Sequence, residues 1–233
     1  MLCKPWRSRA QPDGVSLHRR DAVAGGCTLL RNGGRQMKVF VVYCHPHAES
    51  FTHQVLERFT AGLRDGGHEV RISDLYAMDF RTDLTEEEYL RETFYRADLP
   101  LALDVAAEQE KIEWCEGIVF IYPVFWTEAP AKLVGWFDRV WTTGYAYTPE
   151  PTMKKLKKAL CIACAGKTLD ALEETGELQA METVMLGDRI RERAEQKQML
   201  VLDGITHWNE SQREILLPRH LETAYCAGRD FGV

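Results

Sequence analysis

The chain has 233 residues, 45% of them hydrophobic, and a net charge of −6. That length supports one well-buried core, or a core with an extension. No apolar run approaches the roughly 20 residues that span a bilayer, so membrane insertion is not expected.

The charge is uneven. Residues 1–36 hold seven Lys/Arg against two Asp/Glu, a net of +5, and the other 22 basic and 33 acidic residues give −11. An acidic body argues against a nucleic-acid partner held on a basic face. The cysteines Cys3, Cys27, Cys44, Cys115, Cys161, Cys164 and Cys226 are odd in number and irregular in spacing. They read as reduced thiols of a cytoplasmic protein rather than a disulfide framework.

Residues 1–36 carry no helical or strand period. They read as a disordered leader, or as sequence upstream of a working start at Met37; a basic arm that binds a partner is the other reading. The pattern then changes abruptly. KVFVVYC (Lys38–Cys44) is the continuous β-branched run of a strand covered on both faces. Residues 50–65 put Phe51, Val55, Phe59 and Leu63 on one helical stripe, with Ser50 as N-cap and Gly66-Gly67 as stop. His68–Leu75 alternates and predicts a second strand nearer an edge. The charged stretch that ends at Pro100 is expected to be a partly helical insertion or lid outside the core.

A helix over Asp104–Gly117 and a strand over Ile118–Val124 follow, then a helix over Ala129–Trp141 with Pro130 in its first turn. Lys158–Gly166 reads as a fourth strand and its exit. Residues 180–197 read as a charged helix, Gln198–Ile205 as a fifth strand, and residues 209–223 as a last helix bent near Pro218. Strand and helix alternate five times. That pattern predicts an α/β, doubly wound sheet of five mainly parallel strands with helices on both faces. In such sheets ligands bind outside the carboxyl ends of the strands, where strand order reverses.

Three strand exits therefore matter. In CHPHAESFT, Ser50, Phe51 and Thr52 open a helix whose free N–H groups and two hydroxyls suit an anion. His45 either meets a phosphate there or bonds its own loop. No G-x-G-x-x-G is present. In the second exit, Pro123 stiffens the chain and Trp126 offers a broad aromatic face. Backbone N–H groups from Val124 to Thr127 suit a flat ring with carbonyls and ring nitrogens. The other reading is that Phe125 and Trp126 cap the core.

In the third exit, Cys164, Ala165 and Gly166 are small enough for close backbone approach. AGKT ends like a P-loop, but Cys161 stands where the first glycine is required. Cys161 and Cys164 lie three apart in a strand and so face opposite sides, which argues against a redox pair. His45, His47 and His53 lack the supporting ligands of a metal site. A thiol enzyme using Cys164 needs a base, and only His207 could approach in the fold.

Taken together, V-V-Y-C-H-P-H-A-E-S-F-T, Y-P-V-F-W and A-P-A-K-L-V-G-W-F-D-R-V resemble the flavodoxin-like NAD(P)H:quinone oxidoreductases. That family includes the ribosyldihydronicotinamide dehydrogenases and the small subunits that regulate glutathione-gated potassium efflux. The resemblance covers roughly Met37 to Leu172 and fits more loosely to the end. It implies a flavodoxin-like flavin-binding domain over residues 37–233. By this likeness Pro123, Val124, Phe125, Trp126 and Thr127 hold the isoalloxazine of FAD, with FMN as alternative. His45, Ser50, Phe51 and Thr52 cradle the phosphates, and Cys164, Ala165 and Gly166 close over the ring. NAD(P)H is the implied electron donor, and a quinone or similar flat electrophile the acceptor, in a ping-pong exchange. The implied assembly is a homodimer with its site at the interface, faced by residues 127–128 and the insertion.

The chain departs from the family pattern. Thr52 stands for an Asn, Phe125 for a Gln, and Ala163-Cys164-Ala165-Gly166 for T-T-G-G. The Tyr and His that assist hydride transfer in the quinone reductases fall near Ala171 and Thr175–Glu177, where neither type is present. No catalytic side chain is thereby assigned. The missing Tyr and His, with the acidic insertion 83–98, favour the alternative of a flavin- or nucleotide-binding regulatory subunit of the potassium-efflux type with little turnover.

Overall fold

The computed structural model describes residues 35–148 and 150–233. The expectations for Met1–Gly34 lie outside the described residues.

Five strands form one sheet: β1 (Lys38–Tyr43), β2 (Glu69–Asp74), β3 (Gly117–Pro123), β4 (Leu156–Cys164) and β5 (Ala194–Leu202). Their order is β2-β1-β3-β4-β5 and every pairing is parallel. β3, the central strand, is buried at all seven residues. Its apolar run GIVFIYP has no polar residue to present, because helices cover both faces. β2 is the edge that its alternation predicted, with only Ser73 fully buried.

On one face lie α1 (Phe51–Asp65) and α7 (Glu210–Arg229), over a core of Val39, Val41, Phe59, Leu63, Ile121 and Ile162. These helices touch at backbone distance. A Cβ at Gly62 would sit 2.0 Å from the Tyr225 carbonyl oxygen, and one at Gly228 2.2 Å from that of Phe59. The other face carries α3 (Leu103–Trp114) and α4 (Ala131–Val140), packed through Phe120, Leu133, Trp136 and Phe137.

Helix ends follow local chemistry. Ser50 Oγ accepts the His53 N–H at 3.1 Å and starts α1. Thr85 and Glu88 form a capping box that starts α2 (Glu86–Thr93) inside the insertion. The insertion is less peripheral than expected. Arg139 of α4, wholly buried, binds Glu88 Oε1 at 2.6 Å and Asp104 Oδ2 at 2.5 Å, so α2 and α3 are tied to the core.

The region after β4 departs most from expectation. A short helix absent from the sequence reading, α5 (Leu169–Glu174), is followed by α6 (Glu177–Glu182) and a π-helical segment, Thr183–Ile190. The chain turns at Arg191, φ 48°, and β5 begins at Ala194. Residues 194–197, read as helix, are edge strand paired to β4 from Leu156↔Ala194 onward, with residues 195–197 exposed. Sheet pairing overrides helical propensity there. α7 runs to Arg229 with Pro218 inside it.

Candidate active site

Strand order reverses between β1 and β3, and the exits of β1, β3 and β4 lie side by side at the carboxyl edge. Cys44 N–H donates to Ile121 O at 3.0 Å and Val124 N–H to Cys164 O at 2.9 Å. Pro123 pairs with Cys164 in the ladder. The fold thus brings together all three groups of residues singled out in the sequence.

At the first exit, the Phe51 and Thr52 N–H groups at the start of α1 have no backbone partner among the described residues, which leaves the donors that favour an anion. His45 bonds its own loop: Nδ1 lies 3.0 Å from the His47 backbone N and 3.1 Å from the His47 carbonyl oxygen, and its role as donor or acceptor follows the tautomer. Burial lowers the His45 pKa, which favours the neutral imidazole. Beside this helix start lie two buried polar atoms that no hydrogen bond within 3.5 Å satisfies among the described residues, Tyr43 OH and His53 Nδ1, although Ser50 is near enough to the Tyr43 phenol to offset part of the effect of burial. The Tyr43 and His53 rings meet edge-on at 5.7 Å. Burial pushes the Tyr43 phenol up to about 12, so it stays a donor. A buried hydroxyl beside open helix amides fits an anionic ligand oxygen.

The second exit is a tight turn. Phe125 N–H donates to Glu128 O at 2.8 Å, and Glu128 N–H returns to Phe125 O at 2.9 Å. The two central residues, Trp126 (φ 51°) and Thr127 (φ 67°), are both left-handed. Neither is glycine, and threonine is β-branched, so each carries strain on the order of 1–3 kcal/mol. Their N–H groups make no backbone bond among the described residues. Trp126 is 99% exposed and Phe125 46%, which rules out the reading of these rings as core caps. A bare indole on a strained turn with two free amides is a surface for a flat polar ring.

The third exit supplies the floor. Ala165 N–H donates to Leu202 O at 2.9 Å, and Gly166 is exposed. A Cβ on Gly166 would meet only the Ile205 carbonyl oxygen, at 3.9 Å, so the space above it is open. The Cys164 thiol is buried and burial pushes it up to about 12. It is therefore no nucleophile at neutral pH. Cys161 lies in the core of the opposite face, as the strand spacing required. His207 is exposed, and no contact ties it to the Cys164 thiol.

Ala171 lies on α5, and Thr175–Glu177 lies where α5 passes into α6. There Lys167 Nζ binds both Glu177 carboxylate oxygens at 2.7 Å. A lysine–glutamate pair thus flanks the third exit where the family pattern asks for His. Sequence reasoning missed Tyr43, this pair, and Arg189, which binds Glu128 below the turn. Tyr43 had a signal, a polar residue ending an apolar strand. Arg189 had none, because it lies 61 residues from its partner.

The model of the flavodoxin-like fold matches residues 37–189. The chain belongs to the flavodoxin-like family. Rat NAD(P)H dehydrogenase [quinone] 1 is 37% identical over 124 residues, 48% of this chain and 45% of that protein. Ribosyldihydronicotinamide dehydrogenase [quinone] of Pongo abelii is 30% identical over 156 residues, 60% of this chain and 68% of that protein. The first curated relatives are matched over about half their length. Among solved structures, an NAD(P)H:quinone oxidoreductase from Methanothermobacter marburgensis superposes with a TM-score of 0.78 at 43% identity. That match covers 84% of this chain and 98% of the other. The flavodoxin-like fold and the family that the motifs resemble are both borne out. No helix among the described residues is long and apolar enough to cross a membrane.

Proposed function

We propose that this chain is a flavin-dependent NAD(P)H oxidoreductase that makes a two-electron reduction of quinones or similar flat electrophiles. The observation that carries the reading is the second exit: a fully exposed Trp126 on a strained turn with free amides, set between an open helix start and an open glycine. The names of the relatives support the same class of substrate.

The flavin, when bound, supplies the hydride and electron chemistry. The chain's residues orient it. Pro123–Thr127 give the ring a stacking face and backbone donors. Ser50, Phe51 and Thr52 offer N–H groups and hydroxyls to the phosphates, with the His45 imidazole and the Tyr43 hydroxyl beside them. Cys164, Ala165 and Gly166 leave room for close approach over the ring. Donor and acceptor use the same exposed face in turn, which makes the exchange ping-pong. We take FAD as the flavin, following the likeness to the quinone reductases, and FMN as the alternative. Thr127, Glu128 and the insertion, with exposed Tyr89, Phe94, Tyr95 and Leu103, are the surface we assign to a second copy in a homodimer. The acidic body and the irregular, odd-numbered cysteines fit a cytoplasmic protein without a nucleic-acid partner.

One observation favours a second reading. The positions of the family Tyr and His hold Ala171 and the Lys167–Glu177 pair, which fits a flavin-binding regulatory subunit with little turnover. The test is an absorbance spectrum of the purified protein with chromatography of the released flavin. Flavin bands that bleach with NAD(P)H and recover with a quinone are expected. Bands that never bleach would support the regulatory subunit. Protein that is colourless even after incubation with FAD and FMN would overturn both.

A further inference from the structure

Backbone bonds alone do not explain why the Phe125–Glu128 turn keeps two non-glycine residues left-handed. The side chain that closes the turn is held from outside it. Glu128 Oε1 accepts the Ala129 N–H at 2.7 Å and Arg189 Nη1 at 2.9 Å, and Oε2 faces Arg189 Nη2 at 3.4 Å. This is a two-pronged guanidinium–carboxylate contact, the geometry in which arginine fixes orientation as well as charge.

Arg189 has little freedom of its own. Its side chain is 13% exposed. Its guanidinium lies 5.1 Å over the Phe137 ring and its Nη1 3.2 Å from Met185 Sδ. Its carbonyl oxygen accepts the Trp141 indole N–H at 2.7 Å. It sits near the end of the π-helical segment Thr183–Ile190, a local winding that recurs at functional sites. Glu128, by contrast, is 40% exposed and would be free to turn to solvent without its partner.

We propose that Arg189 is a positioning residue for the Phe125–Glu128 turn: its guanidinium grips the Glu128 carboxylate and keeps Trp126 and Thr127 left-handed, with their N–H groups presented outward. The grip rests on this geometry alone. Its consequence for turnover rests on the flavin reading above. It gives the β4–β5 connection control over the β3 exit, so the ring-holding turn is set by a residue distant in sequence that touches no ligand.

The test compares Arg189→Met, Arg189→Lys, Glu128→Gln and the Arg189→Met/Glu128→Gln double variant. The first readout is amide hydrogen exchange in protein free of flavin. Exchange at Phe125 and Glu128, whose N–H groups close the turn, should quicken about tenfold in Arg189→Met and Glu128→Gln. Amides of Ile121 and Ile162 in the sheet should stay unchanged, which separates a loosened turn from a failed fold. Arg189→Lys should recover part of the protection, and the double variant should match the single ones. The second readout is flavin affinity by fluorescence titration, expected to weaken about tenfold in Arg189→Met. Unchanged exchange at Phe125 and Glu128, or effects of the two single variants that add, would overturn the grip. If the unaltered protein binds no flavin, the functional reading fails by itself and the exchange result still decides the grip.

Discussion

Trp126 and Trp136 stand ten residues apart and have opposite fates. Trp136 is wholly buried, with its indole N–H donating to Glu108 Oε2 at 2.8 Å and its rings packed on Phe120, Phe137 and Trp141. Trp126 is 99% exposed, on a strained backbone, with no ring partner among the described residues. The same residue type holds the molecule together in one place and adds nothing to its core in the other. An exposed Trp held in a costly conformation lowers stability in exchange for a binding surface.

The comparison breaks most visibly if the buried side is touched. Arg139→Met removes the cation that joins Glu88 and Asp104, and should cost about 3 kcal/mol, because two carboxylates lose their shared partner. Urea unfolding would measure it. The loss should depend on pH. Both carboxyls lie below their ordinary values of 4.5 and 3.8 in the folded protein. For Asp104 the Arg139 hydrogen bond is the main cause. For Glu88, burial raises the pKa, and hydrogen bonds from Arg139, Thr85 and Arg81 outweigh it. Groups depressed in this way stabilise fully above the unfolded values and stop doing so as pH falls through the folded ones. The unaltered protein should therefore lose stability as pH drops below about 4.5, and Arg139→Met should lose less over the same range.

The exposed side should respond the other way. Trp126→Ala should leave unfolding within about 0.5 kcal/mol of the parent. Flavin affinity should fall about tenfold, since a stacked ring is worth on the order of 1 kcal/mol beyond its area. A variant that unfolds early yet binds normally would reverse the assignment of the two tryptophans. The smallest effect concerns the turn itself. Thr127→Gly relieves a left-handed β-branched residue and should stabilise by about 1 kcal/mol, or roughly 2–4 °C in Tm. A calorimetric scan that shows destabilisation would mean that the Thr127 side chain holds the turn.

The core elements were legible because their signals are local. β1 and β3 are unbroken apolar runs, and the Ser50 cap sits next to the stripe it starts. The residues at the three exits were legible for the same reason. The failures lie between β4 and β5. There a polar, helix-favouring run became an edge strand because β4 offered it an open ladder, and α5 was too short to leave a period. The pairing of Arg189 with Glu128 was invisible, since neither residue signals the other from 61 positions away.

The sequence by itself determined the parallel α/β sheet, the helix start at Ser50 and the aromatic exit at Pro123–Trp126. Apolar runs, caps and stiff residues act on their immediate neighbours. Only the tertiary structure decided that Trp126 is bare while Trp136 is buried, that Trp126 and Thr127 are left-handed, and that an arginine from the β4–β5 connection reaches Glu128. Exposure and grip depend on what the sheet brings alongside, and strand order, not sequence distance, sets that.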